Sequence, residues 1–244
     1  MKSSIAGLIS IIALVLLVAA HYLGLGWTVG VGIALAAAFG YGWPYYLGIP
    51  AKKTLGTVIA LTGAGSALTA GLDAGGDYLV WTPIMIAVGF AAVMVVQLIR
   101  GTGQKYRLES TLGAGTGVAI AGFASGWVAS IRFLGEPGMT LIVAISAVVA
   151  IAVGMLSWPD RVLAPLAIVL AALAGPLAAL IFSDVRVLQA AVLGVLVGAV
   201  MAAFRQLRTL SREPGHLIGV VSSALAPILS LGALVYFVEK LVLH

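Results

Sequence analysis

Eight stretches of this chain contain no Lys, Arg, Asp or Glu, and they have the length of membrane spans. They cover residues 3–51, 54–72, 78–99, 110–131, 137–159, 162–183, 187–204 and 214–238. A transmembrane helix needs about 20 predominantly apolar residues, whereas a barrel strand needs about 9–11 of alternating polarity. These stretches are continuous rather than alternating. In hydrocarbon only helices and closed barrels satisfy their own backbone groups. The expected fold is therefore all-α, a polytopic transmembrane helical bundle. The first stretch is long enough for two helices, and His21-Tyr22-Leu23-Gly24-Leu25-Gly26 supplies a turn to divide it. That gives nine spans, or eight if the turn does not divide the stretch. No long polar segment separates them, so residues 1–244 read as a single transmembrane domain. Lys2, the apolar run 5–20 and Val18-Ala19-Ala20 also have the outline of a signal peptide; we read them as the first membrane helix.

Composition agrees. Of 244 residues, 62% are hydrophobic and 9% charged, with a mean hydropathy of +1.17. Water-soluble domains carry about 25% charged residues, so a soluble enzyme, a disordered chain and a nucleic-acid-binding domain are all disfavoured. There is no cysteine, which removes disulfides, thiolate nucleophiles and zinc–thiolate sites. There is no asparagine, so aquaporin-type Asn-Pro-Ala loops are absent. His21, His216 and His244 are scattered, and none has a second histidine three or four residues away. No metal or cofactor is expected.

Orientation follows from the basic residues. With the N-terminus in the cytoplasm, Lys2, Lys52, Lys53, Arg100, Lys105, Arg107, Arg161, Arg205, Arg208 and Arg212 fall inside, and Arg132, Arg186 and Lys240 outside, ten against three. Asp73, Asp77, Glu136, Asp184 and Glu239 lean outward, and nine spans put the C-terminus outside. Trp27, Trp43, Tyr45, Tyr46, Tyr78, Trp81 and Trp158 fall near helix ends, where amphipathic rings sit among headgroups.

The 31 glycines suggest close helix packing. Gly113, Gly117, Ala121 and Ser125 are spaced by four, as are Gly122 with Gly126 and Gly194 with Gly198. Gly113-Ala114-Gly115-Thr116-Gly117 lacks the Gly-Lys-Ser/Thr ending of a phosphate loop. Gly175-Pro176 and Ala226-Pro227 are expected to interrupt the seventh and ninth spans. Broken helices of this kind often line a substrate path, which makes Gly175, Pro176 and Pro227 candidate path residues, against the plainer reading of a packing kink.

No Asp, Glu, Lys or Arg falls near the middle of a span, which argues against a proton-coupled antiporter. Two loops, 100–110 and 205–213, hold most of the inner positive charge. Lys52, Lys53, Arg100, Lys105, Arg107, Arg205, Arg208 and Arg212 are candidate contacts for a lipid phosphate or an acidic partner; topological anchoring is the plainer reading. Glu109, Asp160 beside Arg161 and Asp184 beside Arg186 read as local caps or ion pairs, and His21 as a polar end-marker. The paired aspartates of CDP-alcohol phosphotransferases and the Gly-x-Ser-Gly of rhomboid proteases are absent.

Gln97-Leu98-Ile99-Arg100 through Arg107-Leu108-Glu109-Ser110, followed by the glycine-rich helix and Gly126-Trp127-Val128-Ala129, is similar to uncharacterised multipass proteins of actinobacteria, some of which carry a permease label. The resemblance implies a bacterial plasma membrane and tilts the expectation toward transport. The leading expectation is a permease-like protein that moves or accommodates a small or lipidic solute without an intramembrane charge relay. The alternatives are an accessory subunit of an envelope or transport complex, and a membrane-embedded enzyme acting on a lipid phosphate. Expected partners are the bilayer, anionic lipids at the cytoplasmic face, and a membrane-protein partner or a second copy of the chain. Nucleic acid is not among them.

Overall fold

The computed structural model describes residues 2–101, 107–135, 137–156, 158–183, 185–211 and 216–242, with the side chains of residues 2, 3, 134 and 242 left aside. Among them there is no strand. The helices are α1 (Lys2–Leu23), α2 (Leu25–Leu47), α3 (Lys52–Leu72), α4 (Thr82–Ile99), α5 (Arg107–Gly122), α6 (Ser125–Leu134), α7 (Gly138–Gly154), α8 (Asp160–Phe182), α9 (Val187–Leu210) and α10 (Leu217–Val242). Eight helices are long and apolar enough to cross a membrane, with α5 and α6 together forming one of them. The shorter α7 has 17 residues, about 25 Å at 1.5 Å per residue. The chain is a helical membrane bundle.

The turn between α1 and α2 lies where the glycines placed it. Gly24 adopts φ +109°, a region that L side chains avoid, and its N–H caps α1 through the Ala20 carbonyl at 3.0 Å. Successive spans then reverse direction. One end of the bundle carries Lys52, Lys53, Arg100, Arg107, Arg161, Arg205 and Arg208 and is called the basic end below. The opposite end carries Asp73, Asp77, Arg132, Glu239 and Lys240.

Helices α2 to α6 pack as one group and α7 to α9 as another, while α1 and α10 join the two. The crossings are made by small residues. A Cβ on Gly126 would collide with the backbone of Gly232 and Ala233, so α6 and α10 meet backbone to backbone. A Cβ on Gly194 would strike the Ala171 carbonyl, and one on Gly175 the Ala190 carbonyl, which closes the seam between α8 and α9. Packing of this kind replaces the hydrophobic effect between helices in lipid.

The prolines do not break their helices. α8 and α10 run on through Pro176 and Pro227, which corrects the expected interruptions. Each proline removes only one donor, and neighbouring helices pack against the segment: Gly175 lies against α9, and Pro227 sits between the fully buried Ala226 and Ile228. The break that does occur lies in the fifth span, at Phe123–Ala124. Ser125 Oγ donates to the Gly122 carbonyl at 2.7 Å, and the Gly126 N–H turns instead to Phe123 at 3.1 Å. A serine hydroxyl competing for a helix carbonyl loosens the helix at that point. Thr82 from α4 bonds the same hydroxyl at 2.8 Å, and Trp127 Nε1 donates to the Ile228 carbonyl of α10 at 2.9 Å.

At the end opposite the basic one, Arg132 Nη1 donates to the Ala70 and Gly71 carbonyls at 3.2 and 2.8 Å, and its guanidinium lies 4.7 Å from the Tyr78 ring centre. A cation is thereby set on the negative end of α3. Lys240 Nζ donates to Asp77 Oδ1 at 2.8 Å and holds the Asp77 carboxyl below its ordinary range. A lowered carboxyl contributes stability above its unfolded pKa and loses it as pH falls through the folded value. Both partners are substantially exposed, so the contribution is small. Asp77→Asn should melt slightly below the parent at neutral pH, and the two thermal unfolding curves should converge as pH falls through the acid limb.

Candidate functional site

The basic end contains a cleft of about 260 Å³ where the last turns of α7 and α9 meet the first turns of α8. Asp160, Arg161, Arg205 and Gln206 form its polar rim, and Leu163, Ala167 and Met201 its apolar floor. A smaller cavity of about 20 Å³ adjoins it toward α1, lined by Ser10, Met155 and Arg208. The two share Ala150, Gly154, Met201 and Arg205, so Arg205 stands between them.

The arginines reach this position because α9 is longer than its uncharged stretch. The sequence places 205–213 in a loop, whereas α9 continues to Leu210. Gln, Leu and Arg are all good helix formers. Arg205 and Arg208, three residues apart, therefore share one helix face. Arg205 Nη1 is held by Asp160 Oδ1 at 2.9 Å. Asp160 opens α8, where a carboxylate also complements the helix N-terminus. Arg208 is half-buried, within electrostatic range of Arg205 and Tyr46. Among the described residues, nothing forms a hydrogen bond or ion pair with its guanidinium.

The other candidates lie elsewhere. Lys52 sits over the Tyr45 ring at 5.1 Å, and Tyr45 packs edge-on against His216 at 5.8 Å. Lys53 is exposed. Arg100 Nη1 reaches Gln97 Oε1 at 3.4 Å, and Gln97 is buried against Ser110 at 2.6 Å. Arg107 opens α5 with Glu109 in the same turn. α4 and α5 pack on α2 and α3, whereas α8 and α9 pack on each other and on α7. The structure therefore brings Arg205 and Arg208 together with Arg161 and Asp160 but leaves Arg100 and Arg107 on the other group of helices. Lys105 and Arg212 lie outside the described residues, as do Glu136 and Asp184. Gly175, Pro176 and Pro227 do not line the cleft.

Two groups were misjudged from sequence. Glu239, read as an outward boundary acid, has no exposed surface: Ser130 Oγ donates to its Oε1 at 2.7 Å, and no described residue bonds Oε2. His21, read as an end-marker, is 4% exposed, with Nδ1 3.2 Å from the Leu17 carbonyl. Glu239 and Lys240 are adjacent in sequence, yet one faces the bundle and the other Asp77; the apolar run on both sides carries no signal of which is which. A third concavity, about 630 Å³ between α4, α5 and α10, is lined by Thr82 and by apolar side chains such as Ile86, Phe90, Phe123 and Phe237, so its wall is almost entirely hydrocarbon.

Compared with known proteins, the chain matches no family model, no curated protein and no solved structure.

Proposed function

We propose that this chain is a permease-like multipass protein of a bacterial plasma membrane that accommodates a small or lipidic solute in the α7–α8–α9 cleft. Its basic end faces the cytoplasm and its C-terminus lies outside. The carrying observation is the cleft itself. It is polar at the rim and apolar at the floor, and α8 and α9 close above it through Gly194 and Gly175. A concavity open at one end and sealed by small residues at the other suits a protein that admits a solute from one side at a time. The excess of basic residues at that end supports its cytoplasmic placement. An enzyme reading gains little from the cleft, because among the described residues its lining supplies no histidine and its one carboxylate, Asp160, is engaged by Arg205.

The native lack of cysteine makes the test direct. Ala164→Cys and Ala202→Cys place a thiol in the cleft lining, and Ala74→Cys one in the exposed loop at the opposite end. A membrane-impermeant maleimide should label the first two in inside-out vesicles and the third in right-side-out vesicles. Cleft thiols that react from neither side would overturn the reading. Cleft thiols that react only in right-side-out vesicles would reverse the orientation.

A further inference from the structure

Arginine keeps its charge at any physiological pH and presents a planar fork of donors that matches phosphate or carboxylate oxygens. A half-buried guanidinium without a counter-charge is costly. Arg205 meets that requirement internally, through Asp160 at 2.9 Å. Arg208 does not meet it with any described residue. It stands one turn further along α9, beside the same shared cavity wall of Ala150, Gly154 and Met201. Arg161 and Gln206 add donors at the rim, and among the described residues no second carboxylate lines either cavity. Among the described residues the two linings together therefore hold three arginines against one acid, on a hydrocarbon floor.

We propose that the cleft binds a phosphate-bearing anion, with Arg208 as its primary contact and Asp160 as an internal anion that the ligand displaces from Arg205. The inference rests on the cleft being the solute site proposed above and names the chemical class of that solute. The apolar floor of Leu163, Ala167 and Met201 receives the carbon portion of the ligand. The shared chemistry is a phosphate ester with a short organic stem, either the headgroup of an anionic lipid entering from the bilayer or a free phosphate compound entering from water.

Opposite effects at two residues test this. The full chain is purified in detergent and studied by native mass spectrometry with phosphatidylglycerol or phosphatidylcholine, and by calorimetric titration with inorganic phosphate and glycerol phosphate. Arg208→Gln should weaken anion binding by about tenfold or more. Arg208→Lys, which retains the charge without the fork, should lose less. Asp160→Asn should strengthen binding, because Arg205 is released to the ligand. Preferential retention of phosphatidylglycerol, unaffected by excess inorganic phosphate, identifies the lipid source; heat on titration with inorganic phosphate or glycerol phosphate identifies the soluble one.

Equal retention of the two lipids with no heat from either phosphate overturns the inference. So does anion binding that neither variant alters, or that Asp160→Asn weakens. Any of these results with Ala164→Cys still labelled leaves the permease reading standing without its anion. Anion binding that responds to both variants, with Ala164→Cys inert from both sides, overturns the permease reading and leaves the anion site.

Discussion

Replacing Gly126 by leucine should leave no folded bundle to purify. A Cβ at this position lands on the backbone of Gly232 and Ala233, and backbone cannot rotate away as a side chain can. Overpacking a core costs about 1–3 kcal/mol even when the obstructing atoms are side chains; with backbone as the obstacle, the cost falls at or beyond the top of that range. Separating α6 from α10 would also break the Trp127 bond to Ile228. Gly126→Ala should already lower the melting temperature in detergent. Gly30 is the internal control, because nothing lies within 4 Å of a Cβ built there. Gly30→Ala should leave the melting temperature unchanged or slightly raised, since alanine is the better helix former. A Gly126→Leu protein that elutes as a monodisperse species with parental melting would refute the backbone contact.

The second large effect belongs to Glu239. Its side chain is fully enclosed and, among the described residues, receives one hydrogen bond, from Ser130. Glu239→Gln keeps the shape and can still accept from Ser130, so it should fold at least as well as the parent. Ser130→Ala removes the one donor to Oε1 and should cost about 1–3 kcal/mol. Glu239→Lys places a longer chain and the opposite charge in the same enclosed volume. Uncompensated buried charge costs about 3–5 kcal/mol, enough to remove most of the folded population of a marginally stable protein. Thermal unfolding of the three variants in one detergent gives the ranking. A lysine variant as stable as the glutamine variant would show that the position is open to solvent.

What could be read from sequence, and what could not, divides along physical lines. The spans were legible because hydrocarbon forbids charge, and the Gly24 turn because that residue sits between two long apolar runs that must reverse. The basic end was legible as a cluster of charges. Its local structure was not: the end of an uncharged stretch is not the end of a helix, so α9 carries Arg205 and Arg208 past the predicted boundary and onto one face. The meeting of that face with Asp160 depends on how α8 crosses α9, which is set by Gly175 and Gly194. The pattern identified Gly194 as a packing residue without naming its partner. The break in the fifth span was not legible because no proline marks it; it goes with the Ser125 hydroxyl bonding the Gly122 carbonyl and with the close contact of α10 at Gly126. The enclosure of Glu239 was missed for a related reason, since its one partner among the described residues lies 109 residues away.

The capping of α3 by Arg132 bears on the order in which the ribosome delivers this protein. The carbonyls of Ala70 and Gly71 receive their donor from a residue synthesised 61 or more positions later. Trp127 in turn finds its acceptor 101 positions further on, in α10. The first four helices can enter the bilayer as they emerge, but the bundle interior cannot close until α10 has been made. A nascent chain halted before α10 would hold inserted yet unfinished helices, open to chaperones or membrane proteases, and closure of the bundle is timed by the arrival of α10.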